Sequence, residues 1–169
     1  MAKGGKNQGV KQMVAVIAVA LLLVTGIYFF MEYQRTRPGT PISDVAISVT
    51  SAGETREIPP YTVCELDQEC DGGTPPSMPL GVGADSEPVH VTVPKDIAQT
   101  SWRVLAIYDD PAANNETVYT SGEATEHDID AVTESGAKLV VAEVSALAID
   151  HAADAEEVPV VATWSVGFE

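Results

Sequence analysis

Residues 13–31 read MVAVIAVALLLVTGIYFFM, nineteen positions without a charge. A helix of that length spans roughly 28 Å, close to the ~30 Å hydrocarbon core of a bilayer. Apolar side chains fall on every face, which excludes a half-buried surface helix. A buried core helix would need a domain large enough to surround it, and the rest of the chain is too short for that. A cleaved signal peptide has a shorter apolar run ending in small residues at a cleavage site. Here the run ends in Tyr28, Phe29 and Phe30, with no Ala-x-Ala pattern. The sequence therefore predicts an uncleaved single-span transmembrane helix over 13–31.

The flanks supply the expected membrane-interface residues. Tyr28, Phe29, Phe30 and Tyr33 cluster at the C-terminal end, where amphipathic rings favour the headgroup layer. Lys3, Lys6, Lys11 and the α-amino group precede the span, and Arg35 and Arg37 follow it. Positive residues near span ends bias their side toward the cytoplasm. Four cationic groups against two predict a cell-membrane protein with residues 1–12 as a basic cytoplasmic N-terminus and the C-terminal part outside. Pro38 and Pro41 cannot continue the helix and Gly39 loosens the turn, so 32–41 reads as a stalk.

Residues 42–169 carry four basic side chains (Arg56, Lys95, Arg103, Lys138) against 24 acids, a charge of −20. A general basic patch is absent, so a nucleic-acid binder of that type is excluded. Alternation dominates this region. Val45, Ile47 and Val49 share one parity, as do Val89, Val91 and Val93, and as do Val160, Ala162, Trp164, Val166 and Phe168. Further strands are expected at 61–66, 102–108 and 117–119. Helical turns are expected at 94–99, which opens on Pro94, and at 125–132, where Thr125 precedes acids that suit a helix N-terminus. Leu139–Ile149 is apolar on both parities and fits a strand or a helix. The expected class is mainly β: an antiparallel sandwich of immunoglobulin-like type behind the transmembrane helix.

Cys64 and Cys70 are the only cysteines. In an oxidising compartment, two cysteines near a strand end and turn most simply form a disulfide. The spacing is not Cys-x-x-Cys, and no βαβ pattern surrounds it. Asp67, Glu69, Asp71 and Gly72 resemble the start of a calcium loop, but the position of the bidentate twelfth ligand falls on Met78. A solvated acidic turn is the simpler reading. His90, His127 and His151 are far apart in sequence and lack the spacing of a zinc site. No nucleophile motif, phosphate loop or other catalytic constellation stands out, and no metal or cofactor is expected. Trp102 and Trp164 lie within apolar strands and are expected in the core.

Several stretches together carry a resemblance: Val63–Cys70, Val93–Asp109 (VPKDIAQTSWRVLAIYD) and Ala162–Val166, behind a Lys-rich start and one span. In these the chain resembles a family of small actinobacterial envelope proteins of unknown function. That resemblance implies no catalytic residues. Some proteins of this general form look like accessory subunits of respiratory complexes, and the resemblance extends that expectation to this chain. The expected function is non-enzymatic: a membrane-anchored accessory or structural subunit whose helix and acidic domain contact other membrane proteins and the bilayer. The alternative is an extracytoplasmic receptor for a ligand or cation, and a third class is an envelope hydrolase using His127 or His151.

Overall fold

The computed structural model describes residues 6–35, 40–66, 72–82, 86–151 and 157–169, and it divides into an N-terminal unit, 1–39, and a C-terminal unit, 40–169. The first unit is the helix α1 (Lys6–Arg35), which extends past both ends of the apolar run. Every described side chain on it, from residue 12 to residue 33, is exposed.

The second unit contains ten strands among its described residues: β1 (Ile47–Ser51), β2 (Glu54–Ile58), β3 (Thr62–Glu65), β4 (Ser77–Met78), β5 (Val89–Thr92), β6 (Trp102–Tyr108), β7 (Asn115–Tyr119), β8 (Glu126–Ile129), β9 (Leu139–His151) and β10 (Glu157–Phe168). They form a four-stranded sheet, β2-β1-β5-β8, and a six-stranded sheet, β3-β10-β9-β6-β7, in which β4 also pairs with β10. All pairings are antiparallel except that of β4 with β10. The spine is the long β9–β10 hairpin, registered from Glu157 opposite His151 to Gly167 opposite Val141.

Alternate residues of both sheets meet in one core. Ile47 and Val49 of β1, Val89 and Val91 of β5 and Ile129 of β8 face Trp102 and Val104 of β6, Ala142 and Val144 of β9, and Ala162 and Trp164 of β10. Each is almost fully withdrawn from water, and burying a large apolar side chain contributes roughly 1.5–3 kcal/mol. Small residues on β9 (Ala142, Ala146, Ala148) leave room for the two indoles. The Trp164 ring sits at zero exposure, and its Nε1 donates a 2.8 Å hydrogen bond to the Val45 carbonyl. That bond pins the chain just after the 3-10 turn Ile42–Asp44 onto the six-stranded sheet. The sandwich-like arrangement of two antiparallel sheets agrees with the expected mainly β class.

Local details differ from expectation in instructive ways. The 125–132 stretch is not a helical turn: Glu126–Ile129 is the strand β8, held by pairing of Val89 with Ile129 and Val91 with His127. The ladder to β5 overrides the local capping signal of Thr125. The 94–99 turn does form as α2 (Lys95–Ala98), with Pro94 preceding its first residue. Leu139–Ile149 resolves as strand, since it pairs on both sides, with β6 and with β10. The β1–β2 hairpin turns on Ala52 (φ 50°) and Gly53 (φ 78°), the two positive φ angles of a type I′ turn. Ala52 is the only non-glycine residue among those described with positive φ.

Candidate functional site

Two concave features stand out on the β domain. The first lies between the sheets, where the edge strand β7 of the larger sheet approaches the edge strand β8 of the smaller one. Alternation along β8 sends His127 and Ile129 inward and Glu126 and Asp128 outward. His127 meets Tyr119 of β7, whose Oη lies 2.7 Å from its Nδ1. The Tyr119 ring stacks on Trp102 with centroids 4.5 Å apart, and the Trp102 Nε1 donates to the Ala124 carbonyl at 3.2 Å. These three rings close one side of the core.

Burial pushes the His127 imidazole below its ordinary value, and the neighbouring Asp128 charge opposes that only in part. Burial also raises the Tyr119 phenol, with Glu123 and Asp128 adding to the shift. Both shifts favour a protonated phenol beside a neutral imidazole, and the tautomer of the ring sets which of the two donates across the contact. Beside them a crevice of about 80 Å³ is lined by Tyr108, Asn115, Thr117, His127, Asp128 and Asp130. The Tyr108 Oη donates to the Asp130 carbonyl at 3.0 Å, and burial followed by the Asp130 charge raises that phenol too. The space admits a few waters and is well below the ~300 Å³ of the smallest usual ligand pockets.

On the outward face of the smaller sheet, His90 lies between two carboxylates. Its Nδ1 is 2.6 Å from Asp128 Oδ1, and its Nε2 is 3.7 Å from Glu126 Oε2. The two histidines thus occupy opposite faces of one sheet and cannot act on a shared substrate. Among the described residues no group of three or more His, Cys, Asp or Glu could hold a metal ion. His151 ends β9. The acids Asp67, Glu69 and Asp71 of the calcium-loop comparison lie outside the described residues.

The second feature is a groove of about 340 Å³ at the larger sheet, lined by the outward residues Arg103, Val118, Leu147 and Val161 and by the core residues Trp102 and Ala146. Arg103 at its rim pairs with Glu116 at 3.0 Å. The sequence had marked only Trp102 here. The signal for the rest was the apolar content of Leu139–Ile149 on both parities, which places Leu147 and Ile149 outward when Ala146 and Ala148 point inward.

Of the expected interface residues, Tyr28, Phe29, Phe30 and Tyr33 are exposed on α1, with Tyr28 and Phe29 in edge contact at 6.0 Å between ring centroids. Lys11 and Arg35 fall within α1. Arg37 and Cys70 lie outside the described residues. Cys64 is half-buried on β3, opposite Val161 of β10. Trp102 and Trp164 are both core residues, so neither is an exposed interface anchor.

Together these features define a mainly β domain of two antiparallel sheets, with an N-terminal helix long and apolar enough to be a membrane anchor or a signal sequence. Residues 40–169 match a family described as a protein of unknown function (DUF2771), and the chain belongs to that family. The match begins where the β unit begins. Uncharacterized proteins of Mycobacterium bovis and Mycobacterium tuberculosis are 26% identical to it over 162 residues, which cover 95% of this chain and 97% of each relative. That overlap exceeds the β unit and extends into the helical region. No solved structure matches the chain.

Proposed function

We propose that this is a non-enzymatic, single-span membrane protein that displays an acidic β domain outside the cytoplasm and serves a larger membrane assembly as an accessory subunit. The observation that carries the reading is α1. From Gln12 to Tyr33 it is apolar and exposed on every side, and only a hydrocarbon environment or other transmembrane helices satisfy such a surface. The four cationic groups before the span favour a cytoplasmic N-terminus. Ala15, Ala18 and Ala20 allow a neighbouring helix close approach. An acidic domain suits a basic partner surface, and a respiratory assembly with a cationic electron carrier is one setting of that kind.

The strand order supports the immunoglobulin-like reading of the domain. With β1, β5, β6, β7, β8, β9 and β10 taken as A, B, C, C′, E, F and G, one sheet reads A-B-E and the other G-F-C-C′. In that scheme β2 extends the A edge, and β3 and β4 line the G edge. The non-enzymatic reading draws on the small volume at His127 and on Tyr119 occupying its Nδ1.

A reporter active only in an oxidising compartment, fused after Glu169, is expected to be active and to resist carbonate extraction from membranes. An inactive reporter reverses the topology, and release into the soluble fraction removes the anchor. Purification in mild detergent is expected to recover stoichiometric partner subunits. A lone monomer across several detergents eliminates the accessory role.

A further inference from the structure

The outward faces of the two sheets differ in kind. An antiparallel sheet with one face on the core normally turns polar residues to water on the other. The smaller sheet does so: Ser48 pairs with Glu57 and Thr92, and Thr50 with Thr55 and His90. On the larger sheet Leu147 pairs with Val161 and Ile149 with Pro159, which sets four apolar residues side by side on one face. Leu147 and Ile149 are 52% and 55% exposed, and Val118, across the groove, is 63% exposed. Contiguous apolar side chains left in water are the usual mark of a contact surface.

The charge around the block selects its partner. The strands of the larger sheet carry Glu65, Glu116, Glu143, Asp150 and Glu157 against a single cation, Arg103. Glu116 takes up that cation in an ion pair at 3.0 Å. Glu143 shares its parity with Leu147 along β9, and Glu116 shares its parity with Val118 along β7, so both acids border the apolar residues on one face. Around them the region 42–169 carries a charge of −20. Two copies of such a face repel each other, while a surface with Lys and Arg around an apolar centre is attracted. The groove gives that centre its shape: Leu147, Val161 and Val118 line it together with the short side chains of Ser101 and Ser145. An open groove of about 340 Å³ with such walls accepts a large side chain inserted from outside, as an interface anchor is.

We propose that the outward face of the larger sheet is the docking surface for a protein partner of one kind. That partner places a large apolar anchor, aromatic or aliphatic, between Leu147 and Val118 and frames it with Lys and Arg facing Glu116 and Glu143. Ile149 and Pro159 extend the apolar contact past the groove. The proposal names the surface by which the accessory subunit proposed above meets its assembly, and it rests on that reading. It uses only positions within the β unit.

The test uses the full chain in the cells that make it, with photoreactive benzoylphenylalanine in place of Leu147, of Val118 or, on the smaller sheet, of Thr55. After irradiation, positions 147 and 118 are expected to cross-link to a second protein, at a peptide with a large apolar residue flanked by Lys or Arg. Position 55 is expected to give no such product. Leu147→Glu combined with the probe at 118 is expected to cut the cross-link about tenfold. This variant makes the face more acidic, so attraction by charge alone would raise the yield, and an unchanged or higher yield overturns the proposal. Val118→Glu with the probe at 147 repeats the test from another strand. Both positions are more than half exposed, so the parent melting temperature is expected to be kept. Cross-links to a second copy of this chain, to lipid alone, or to a peptide without basic residues overturn the proposal. Partner subunits that co-purify in mild detergent while positions 147 and 118 give no protein cross-link also overturn it, and leave the accessory role standing. Absence of both removes that role and this surface with it.

Discussion

The helix and the β domain are comparably apolar in places, yet they use that character in opposite ways. In α1 apolar side chains point in all directions, and none of those described is buried. In the domain they alternate, so that Val89, Val91, Val104, Val144 and Trp164 are within 1% of full burial while their chain neighbours are not. The domain supplies its own apolar medium, whereas α1 must find one in its surroundings. The pattern of hydrophobicity, more than its amount, states which solvent a segment is made for.

The largest effect that would sharpen this contrast comes from separating the two units. A chain beginning at Thr40 is expected to move completely from the membrane to the soluble fraction and to keep the cooperative melting of the parent. A truncated domain that aggregates or melts without a transition would break the comparison, because its core would then depend on the helix. Next in size is the core itself. Trp164→Ala removes a fully buried indole and leaves the Val45 carbonyl without its donor, and is expected to cost about 3–5 kcal/mol in urea unfolding. Membrane partitioning should not change, since α1 is untouched.

The proposed Cys64–Cys70 bridge ranks third. Closing so short a loop stabilises a domain by about 2 kcal/mol on the chain-entropy argument, so Cys64→Ser should lower stability by that amount in protein exported to an oxidising compartment. The same variant made in the reducing cytosol should match its parent. Non-reducing mass mapping that finds two free thiols in exported protein would remove both the bridge and the external location.

A smaller change tests the first hairpin. Ala52 holds φ at 50°, a conformation that costs an L-residue roughly 1 kcal/mol and glycine little. Ala52→Gly is expected to stabilise the domain by at most about 0.5 kcal/mol, net of the entropy that glycine adds to the unfolded chain. A fall in stability on urea unfolding would mean that the Ala52 methyl contributes packing that outweighs the strain.

How far the fold could be read from sequence follows the same division between local pattern and long-range contact. The span, and the strands β1, β5, β6 and β10, announce themselves by uniform or alternating apolar character. The stretch at Glu126 misled because Thr125 followed by acids is a good local cap, and only the distant ladder to Val89 and Val91 makes it a strand. β2 escaped notice because Glu54, Thr55, Arg56 and Glu57 are polar, as an edge strand can be, and because an Ala-Gly turn is a weak hairpin signal. The clusters were less legible still. Trp102, Tyr119 and His127 come from three strands, and nothing in their spacing brings them together. The outward apolar block was half visible, since the two-sided apolar run 139–149 was plain but its Val161 and Pro159 partners required the β9–β10 register.

The smallest effect concerns pH. His127 has a folded-state affinity for protons held below its ordinary value, chiefly by burial, with the Asp128 charge working against the shift. In the unfolded chain the imidazole titrates near its ordinary value of 6.5. The unfolded state therefore binds more protons than the folded one once pH drops below that point, and stability falls. The stabilising contribution is complete above about pH 6.5 and is lost progressively as pH descends through the depressed folded value. Protonation would also make Nδ1 a donor toward Tyr119 Oη, fixing the direction of a 2.7 Å bond that in the neutral ring depends on the tautomer. His127→Gln keeps a polar side chain and removes the titration. The difference between the two melting-temperature profiles from pH 7.5 to pH 5 is expected to open below pH 6.5 and to stay small, because the ring is partly open to water. Profiles that remain parallel across that range would show that the ring cluster joining β7 and β8 is indifferent to the charge on His127.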